Sequence, residues 1–83
     1  MNQFALLRIA AVCELTGRKR SSQYNDIKNG LMTAPVRAGA NTKAWPAHEV
    51  QAIIRARIAG KTDDELRALV ARLHDERAVE TAA

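Results

Sequence analysis

Three consecutive cations, Arg18-Lys19-Arg20, are followed directly by two hydroxyl residues, Ser21 and Ser22. Cationic and hydroxyl side chains commonly hold phosphate groups, and the backbone N–H groups at the start of a helix also favour anions. Asn25 follows about one helical turn later, and an Asn side chain can form two hydrogen bonds with adenine in the major groove. This spacing predicts that the segment binds double-stranded DNA.

Other polar residues extend this candidate surface. A basic run also occurs in ordinary solvated turns, and Ser-Ser is common at a helix start, so the spacing alone leaves that alternative open. Arg37 and Lys43 flank a predicted turn, where they would contact phosphate or the minor groove or simply remain solvated. The full candidate DNA-binding set is Arg18, Lys19, Arg20, Ser21, Ser22, Asn25, Lys28, Arg37 and Lys43.

The distribution of charge favours a polyanionic partner. Residues 1–45 hold seven basic and two acidic side chains, a net charge of +5, whereas residues 46–83 hold six basic and seven acidic ones, a net charge of −1. Cations concentrated in one half of a chain are typical of a nucleic-acid surface. The single cysteine, Cys13, excludes an internal disulfide and is typical of a reducing cytoplasm, so we expect a cytoplasmic, nucleoid-associated protein.

No residue pattern indicates catalysis. His48 and His74 lack partners at metal-ligand spacing, so no metal site or cofactor is expected. Gly60-Lys61-Thr62 resembles the end of a phosphate-binding loop, but Arg55 stands where that loop needs a glycine. We expect neither an enzyme nor a small-molecule ligand, and no segment is apolar over the roughly 18 residues of a membrane span.

The elements that would position the basic run are two short helices. Apolar residues spaced at helical intervals predict a first helix over residues 9–15, ended by Gly17 in a left-handed conformation. A second helix is predicted to start near Lys19 or Arg20 and to stop at Asn29-Gly30. Two short helices joined by a tight turn form a helix-turn-helix unit.

The second helix should have one buried and one polar face. Its exposed face is predicted to hold Ser22, Asn25 and Asn29, with Asp26 at the margin. Asp26 would then face the DNA backbone unless it accepts from a cytosine amine or pairs with a nearby cation. Tyr24 is expected in the core, and Gln23 is expected to be half-buried.

The middle of the chain predicts a hairpin. Residues 32–44 show no helical period, and their turn-forming residues indicate two short strands with a tip near residues 39–42. Trp45 should anchor the hairpin to the core. Pro46 is suited to the first position of a third helix that ends at Gly60. That helix should present one apolar face, formed by Ala47, Val50, Ile53, Ile54 and Ile58.

A fourth helix is predicted from Thr62, where Thr62-Asp63-Asp64-Glu65 forms a capping box. Its apolar stripe of Leu66, Leu69, Val70 and Leu73 either completes the chain's own core, which we favour, or packs against a second copy in a homodimer. After Arg77 a frayed tail is expected. The fold is thus predicted to be mainly α: a winged helix-turn-helix domain at 1–60 and a C-terminal amphipathic helix with its tail at 61–83.

The order of motifs resembles a known family. The following segments succeed one another as in the AlpA-like prophage regulatory proteins, which are similar to phage excisionases and MerR-type winged helix-turn-helix domains: Leu6-Leu7-Arg8, Val12, Thr16-Gly17, Arg20-Ser21-Ser22, Tyr24, Ile27-Lys28, Gly30, Pro35-Val36, Gly39, Trp45-Pro46 and Glu49-Val50. The resemblance covers about residues 5–58. It implies that the DNA-reading helix carries Arg20, Ser21, Ser22 and Asn25 and that residues 37–43 form the wing.

Several positions depart from the family pattern. Arg18-Lys19 replaces a Leu-Ser pair, so a serine cap is lost and two charges are gained. Gln23 stands where an aliphatic residue is common, Asn25 where arginine is common and Asp26 where leucine is common. Residues 31–34 replace a Phe-Pro turn. The DNA sequence preference of the family therefore does not carry over.

Three functions remain as hypotheses. The leading one is a sequence-specific regulator of transcription that binds double-stranded DNA, of the phage or integrative-element type. The second keeps DNA as the partner but is an excisionase-like architectural factor that bends it. The third is a protein-interaction adaptor or antirepressor that acts through the C-terminal amphipathic helix.

Overall fold

The computed structural model of the chain describes the backbone of residues 5–82 and the side chains of residues 5–78. The elements in this range are β1 Leu6–Leu7, α1 Ile9–Thr16, α2 Arg20–Lys28, β2 Val36–Arg37, β3 Lys43–Pro46, α3 Ala47–Ile58 and α4 Asp63–Ala82. The fold is mainly helical with a small sheet, as the sequence predicts. The predicted segments 1–60 and 61–83 also include residues 1–4 and 83, which lie outside the described residues.

The first two helices lie where they are predicted, although α1 runs one residue further than predicted, to Thr16. Gly17 ends α1 with a φ of 73°, a left-handed conformation that disfavours residues with a Cβ, and its N–H donates to the carbonyl of Cys13 at 2.9 Å. Three residues later α2 begins at Arg20, and it ends at Lys28 before Asn29 and Gly30. The tight turn between the helices is therefore set by local sequence.

The sheet contains the predicted hairpin and a strand that the sequence does not predict. Its order is β1-β3-β2, and both pairs are antiparallel. The hairpin is closed near its tip by a hydrogen bond of 2.8 Å from the N–H of Ala38 to the carbonyl of Thr42. In β1, Leu6 and Leu7 lie opposite Pro46 and Trp45. Two residues are too few to show strand alternation, so β1 is defined only by its partner.

Pro46 ends β3 and caps α3, so its predicted place as the first helical residue is wrong by one position. Its φ of −58° suits either place, but its ψ of 130° is extended, and the helix begins at Ala47. The N–H of Ala47 donates to the carbonyl of Ala5 at 2.8 Å. The chain thus passes from sheet to helix without a loop, because β1 pairs with Trp45 and Pro46 and Ala5, just before β1, binds the N–H of Ala47.

The core lies between the sheet and the helices. It comprises Val12, Met32, Trp45, Val50, Ile53, Val70 and Leu73. Trp45 is fully buried and its indole Nε1 donates to the carbonyl of Thr33 at 2.8 Å, which confirms it as the hairpin anchor. Ile58 is 82% exposed, so its predicted place on the apolar face of α3 is wrong. It is the last residue of α3, where the helix has passed the core.

The last helix starts as predicted. The N–H of Thr62 donates to Glu65 Oε1 at 2.9 Å, and the N–H of Glu65 donates to Thr62 Oγ1 at 3.2 Å, which is the reciprocal capping box. The backbone stays helical to Ala82, so the tail predicted after Arg77 is wrong. That segment contains neither Gly nor Pro, and nothing in it stops the helix.

Three of the four residues of the predicted apolar stripe of α4 are buried in the chain's own core, and the fourth, Leu69, is half-buried against it. Leu66, Val70 and Leu73 are each at most 5% exposed. Further along, Arg77 donates from Nε and Nη2 to the fully buried carboxylate of Glu49 at 2.7 and 2.5 Å, and from Nη2 to the carbonyl of Ala34 at 2.7 Å. This ion pair fastens α4 to α3 and to the loop before the hairpin.

Among residues 5–82, no helix combines the length and the apolar character that crossing a membrane requires.

Candidate nucleic-acid interface

The start of α2 presents polar side chains to solvent. Exposed residues are Arg18, Lys19, Arg20, Ser21, Asn25, Lys28 and Asn29, and Ser22 is half-buried. Lys19 occupies the N-cap position in an extended conformation, and its side chain forms no capping hydrogen bond. The positive end of the helix dipole therefore coincides with a cluster of cations, and no side chain caps the first turn. Such a terminus favours a phosphate or another anion.

Asp26 does not lie on this exposed face. It is only 4% exposed, and its carboxylate accepts from Arg18 Nε at 2.7 Å and Arg18 Nη2 at 3.1 Å. A third hydrogen bond, of 3.3 Å, comes from Arg57 Nη2 on α3. Of the alternatives left open for Asp26, pairing with a nearby cation is confirmed, and its place at the margin of the exposed face is wrong.

The bridge through Asp26 changes the position of Arg18 in the candidate site. Its guanidinium lies against a buried carboxylate instead of extending from the turn, although 41% of the side chain remains exposed. A bidentate arginine–carboxylate pair fixes the orientation of both groups. Arg18 is therefore a positioning residue for the α1–α2 turn as well as a source of positive potential. Lys19 and Arg20 have no such carboxylate partner within residues 5–78.

Gln23 is 1% exposed, so the half-buried position expected for it is wrong. Its Nε2 donates to Thr16 Oγ1 and, at 3.4 Å, to the carbonyl of Arg18. Thr16 Oγ1 in turn donates to the carbonyl of Val12 at 2.8 Å. This chain of hydrogen bonds ties α2 to the last turn of α1. An aliphatic residue at position 23 could pack there but could not form these bonds.

Tyr24 connects α2 to the hairpin. Its ring meets that of Trp45 edge-on, with centroids 6.3 Å apart and planes at 63°. On its other side the guanidinium carbon of Arg20 lies 5.8 Å from the ring centroid, within the range of a cation–π contact. Tyr24 is 38% exposed, so the prediction that it lies in the core is wrong. Its ring instead orients Arg20 at the protein surface.

The hairpin places two cations side by side. Arg37 and Lys43 are both exposed, and they are direct partners in the β2–β3 register. Like charges directly opposite each other in an antiparallel pair are destabilising. The two cations therefore make the base of the tip a concentrated positive site, and an anion bound there would relieve their repulsion.

Arg57 is the residue of this region that sequence reasoning missed. It also donates to the carbonyl of Leu31 at 3.5 Å, so it links α3 both to Asp26 and to the loop after α2. Arg57 and Asp26 are too far apart in sequence for helical or strand spacing to predict their contact. The one indication in the sequence was that Asp26, if buried, would need a cation. The structure thus gathers residues 19–28 on one helix and Arg37 and Lys43 on the hairpin, with Tyr24 and Trp45 between them.

Within residues 5–78, no group of three or more His, Cys, Asp or Glu side chains is arranged to hold a metal ion. His74 Nε2 accepts a hydrogen bond of 3.1 Å from the N–H of Ala34, so it contributes to the packing of α4.

In comparisons with family models, curated proteins and solved structures, no match was found for this chain.

Proposed function

We propose that this chain is a winged helix-turn-helix protein that binds double-stranded DNA in a sequence-specific manner and regulates transcription. In this proposal α2 enters the major groove with its N-terminal turn, and the β2–β3 hairpin is the wing that contacts the adjacent backbone or minor groove. The observation that carries it is the exposed set of cations, hydroxyls and one amide on the uncapped start of α2.

The composition of the α2 surface supports both parts of DNA recognition. Lys19 and Arg20 suit phosphate contacts, which give affinity and set the register on the duplex. Ser21 and Asn25 have short side chains that allow the helix to approach the base edges closely, and the Asn25 amide suits adenine. The half-buried Ser22 suits a phosphate at the edge of the contact. Lys28 lies at the far end of α2, where it suits a more distant phosphate.

The anchoring of α2 is a second line of support. Gln23, Tyr24 and Asp26 hold this helix to α1, to the hairpin and to α3 respectively. A reading helix needs such rigid support, because an error of about 1 Å in a side chain's place is enough to lose a directed hydrogen bond. The helix therefore combines a fixed inner face with a free polar outer face.

The proposal is tested first by selection of bound sequences from a random DNA pool with the purified full chain. We expect a defined motif. The double variant Arg20→Ala/Ser22→Ala should bind the selected site at least tenfold more weakly in a shift assay, since a cation and a hydroxyl are lost from the first turn. The matched control is Arg8→Ala, which removes an exposed charge outside the candidate set. Unchanged binding by a folded double variant would contradict the proposal.

The role on DNA is a further question for the same protein. A regulator and an excisionase-like architectural factor would use the same surface, but only the second needs to bend its site strongly. Circular-permutation gels with the selected site separate the two. We propose the regulator, and strong bending would favour the architectural factor.

Homodimerisation, which would pair two half-sites on DNA, remains part of the proposal, but the surface must be revised. The stripe of Leu66, Val70 and Leu73 is covered by the chain's own core, so it is unavailable to a second copy. A dimer through the C-terminal helix would have to use residues of α4 other than these three. Analytical ultracentrifugation of the chain, alone and with its selected site, measures the stoichiometry.

A further inference from the structure

A cleft runs between the second half of α3 and the first half of α4. It has a volume of about 660 Å³. Four apolar residues line it, Ala52 and Ala56 from α3 and Ala68 and Leu69 from α4. Three of these are alanines, and their small side chains leave room between the two helices for larger side chains from a partner. None of the residues proposed to contact DNA lines this cleft.

The rim of the cleft carries an excess of positive charge. Its charged residues are Arg55, Lys61, Glu65 and Arg72. Lys61 and Glu65 form an exposed pair at 3.9 Å, one helical turn apart, so they largely cancel each other. Arg55 and Arg72 are exposed and form no ion pair or side-chain hydrogen bond within residues 5–78. A ligand that suits the cleft is therefore apolar on the side facing the alanines and acidic at its edges.

We propose that this cleft docks an acidic amphipathic helix of another protein. Its apolar side chains, at helical intervals, would fill the space over Ala56 and Ala68, and its carboxylates would pair with Arg55 and Arg72. The cleft shares no residue with the candidate DNA-binding set, so this proposal does not depend on the DNA-binding proposal.

A second copy of this chain suits the cleft poorly. Most of its acidic residues are on α4, and Leu66, Val70 and Leu73 of that helix are already buried in its own core. It therefore cannot offer an acidic edge and an apolar face together. The observations favour a separate acidic protein.

The test uses the full chain and labelled synthetic peptides of about 15 residues, a length that spans such a groove. The first peptide has Leu at positions i, i+3, i+4 and i+7 with Glu on both flanks. One control replaces every Glu with Lys, and another replaces every Leu with Ser. In fluorescence anisotropy we expect saturable binding of the first peptide, with a dissociation constant on the order of 10–100 µM for an interface this small. Both controls should bind at least tenfold more weakly.

Variants of the chain locate the binding site. Arg55→Glu and Arg72→Glu should each weaken binding of the Glu peptide about tenfold, and the double variant should prefer the Lys peptide. Ala68→Trp, at an exposed helix position, should block the cleft for both. The matched control is Arg8→Glu, which makes the same charge change elsewhere and should leave peptide binding within about twofold.

The outcomes are distinct. Loss of Glu-peptide binding by a folded Arg55→Glu variant supports the proposal. The proposal is overturned if the Glu and Lys peptides bind equally or if the chain binds no peptide up to about 1 mM. It is likewise overturned if the Arg55 and Arg72 variants weaken DNA binding instead of peptide binding. It is also overturned if they act only by dissociating a homodimer. If Ala68→Trp does not fold, the test depends on whether the double variant of Arg55 and Arg72 prefers the Lys peptide to the Glu peptide.

Discussion

Arg18 and Asp26, eight residues apart, form a two-point ion pair in which both carboxylate oxygens of Asp26 accept from the Arg18 guanidinium, at 2.7 and 3.1 Å. The pair joins the turn before α2 to the buried side of that helix. Because Arg57 from α3 shares the same carboxylate, one buried charge holds three segments in register. The cation nearest the start of the candidate DNA surface is therefore also part of its support.

Asp26→Asn should lower both stability and specific DNA binding. The amide keeps one acceptor but loses the charge that Arg18 and Arg57 face. We expect the free energy of unfolding to fall by about 1–2 kcal/mol, less than for a fully buried pair because Arg18 stays partly solvated. Urea denaturation measures this change. In a double-mutant cycle with Arg18→Ala the two effects should be non-additive; simple additivity would show that the pair is not coupled.

Lys19→Ala and Asn25→Ala should affect DNA binding in different ways. Removal of Lys19 should weaken binding to all sequences and reduce the slope of log affinity against log salt by about 1, because one phosphate contact is lost. Removal of Asn25 should leave that slope unchanged and relax the preference at one or two base pairs, by about 1–3 kcal/mol. Salt titrations and competition with altered sites separate the effects. If both variants change only the slope, Asn25 does not contact bases.

Among the ion pairs of residues 5–78, we expect the substitution Glu49→Gln to lower stability the most. The Glu49 side chain is fully buried, and Arg77 is 25% exposed, so the substitution removes a buried negative charge that faces a largely buried guanidinium. We expect the free energy of unfolding, measured by urea denaturation, to fall by about 3 kcal/mol. Glu76→Gln, at an exposed position of α4, is the matched control and should change the free energy of unfolding by less than about 0.5 kcal/mol.

The capping box of α4 should contribute a pH dependence on the acid side. The backbone N–H of Thr62, followed by its side chain, holds the pKa of Glu65 below its ordinary value of 4.5, with a smaller contribution from Lys61. A carboxyl whose pKa is lower in the folded state stabilises that state when ionised. Its contribution is therefore complete above the ordinary pKa and is lost as the pH falls through the lower, folded-state pKa.

Glu65→Gln tests this dependence, because Gln can still accept from the N–H of Thr62 but cannot ionise. We expect the variant to be less stable than the parent at neutral pH and the difference to shrink as the pH falls below 4.5. Thermal melts at several pH values measure it. A constant difference across that range would show that the charge of Glu65 is not involved.

Local signals predicted most of the backbone. Gly17, Gly30 and the capping box at Thr62 act within one or two turns of chain, so the bounds of α1 and α2 and the start of α4 could be obtained from neighbouring residues alone. The hairpin followed from its turn residues for the same reason. In contrast, β1 was missed, because Leu6 and Leu7 form a strand only where β3 lies beside them.

The sequence by itself determined the position of the polar helix start, the exposed cations from Lys19 to Lys28 and the two cations beside the hairpin tip. Only the tertiary structure decided which polar residues near that start belong to the interior. Asp26, Gln23 and Glu49 are of residue types common at surfaces, yet each is buried and hydrogen-bonded to a partner distant in sequence or on another element. For Gln23 this holds for Nε2 only, since its buried Oε1 has no partner among the described residues. Burial of a polar group depends on whether the fold brings it a hydrogen-bonding partner, and helical periodicity carries no information about such partners. The start of α2 is thus more than a basic patch: its outer residues are exposed for the proposed contact with DNA because its inner ones are held.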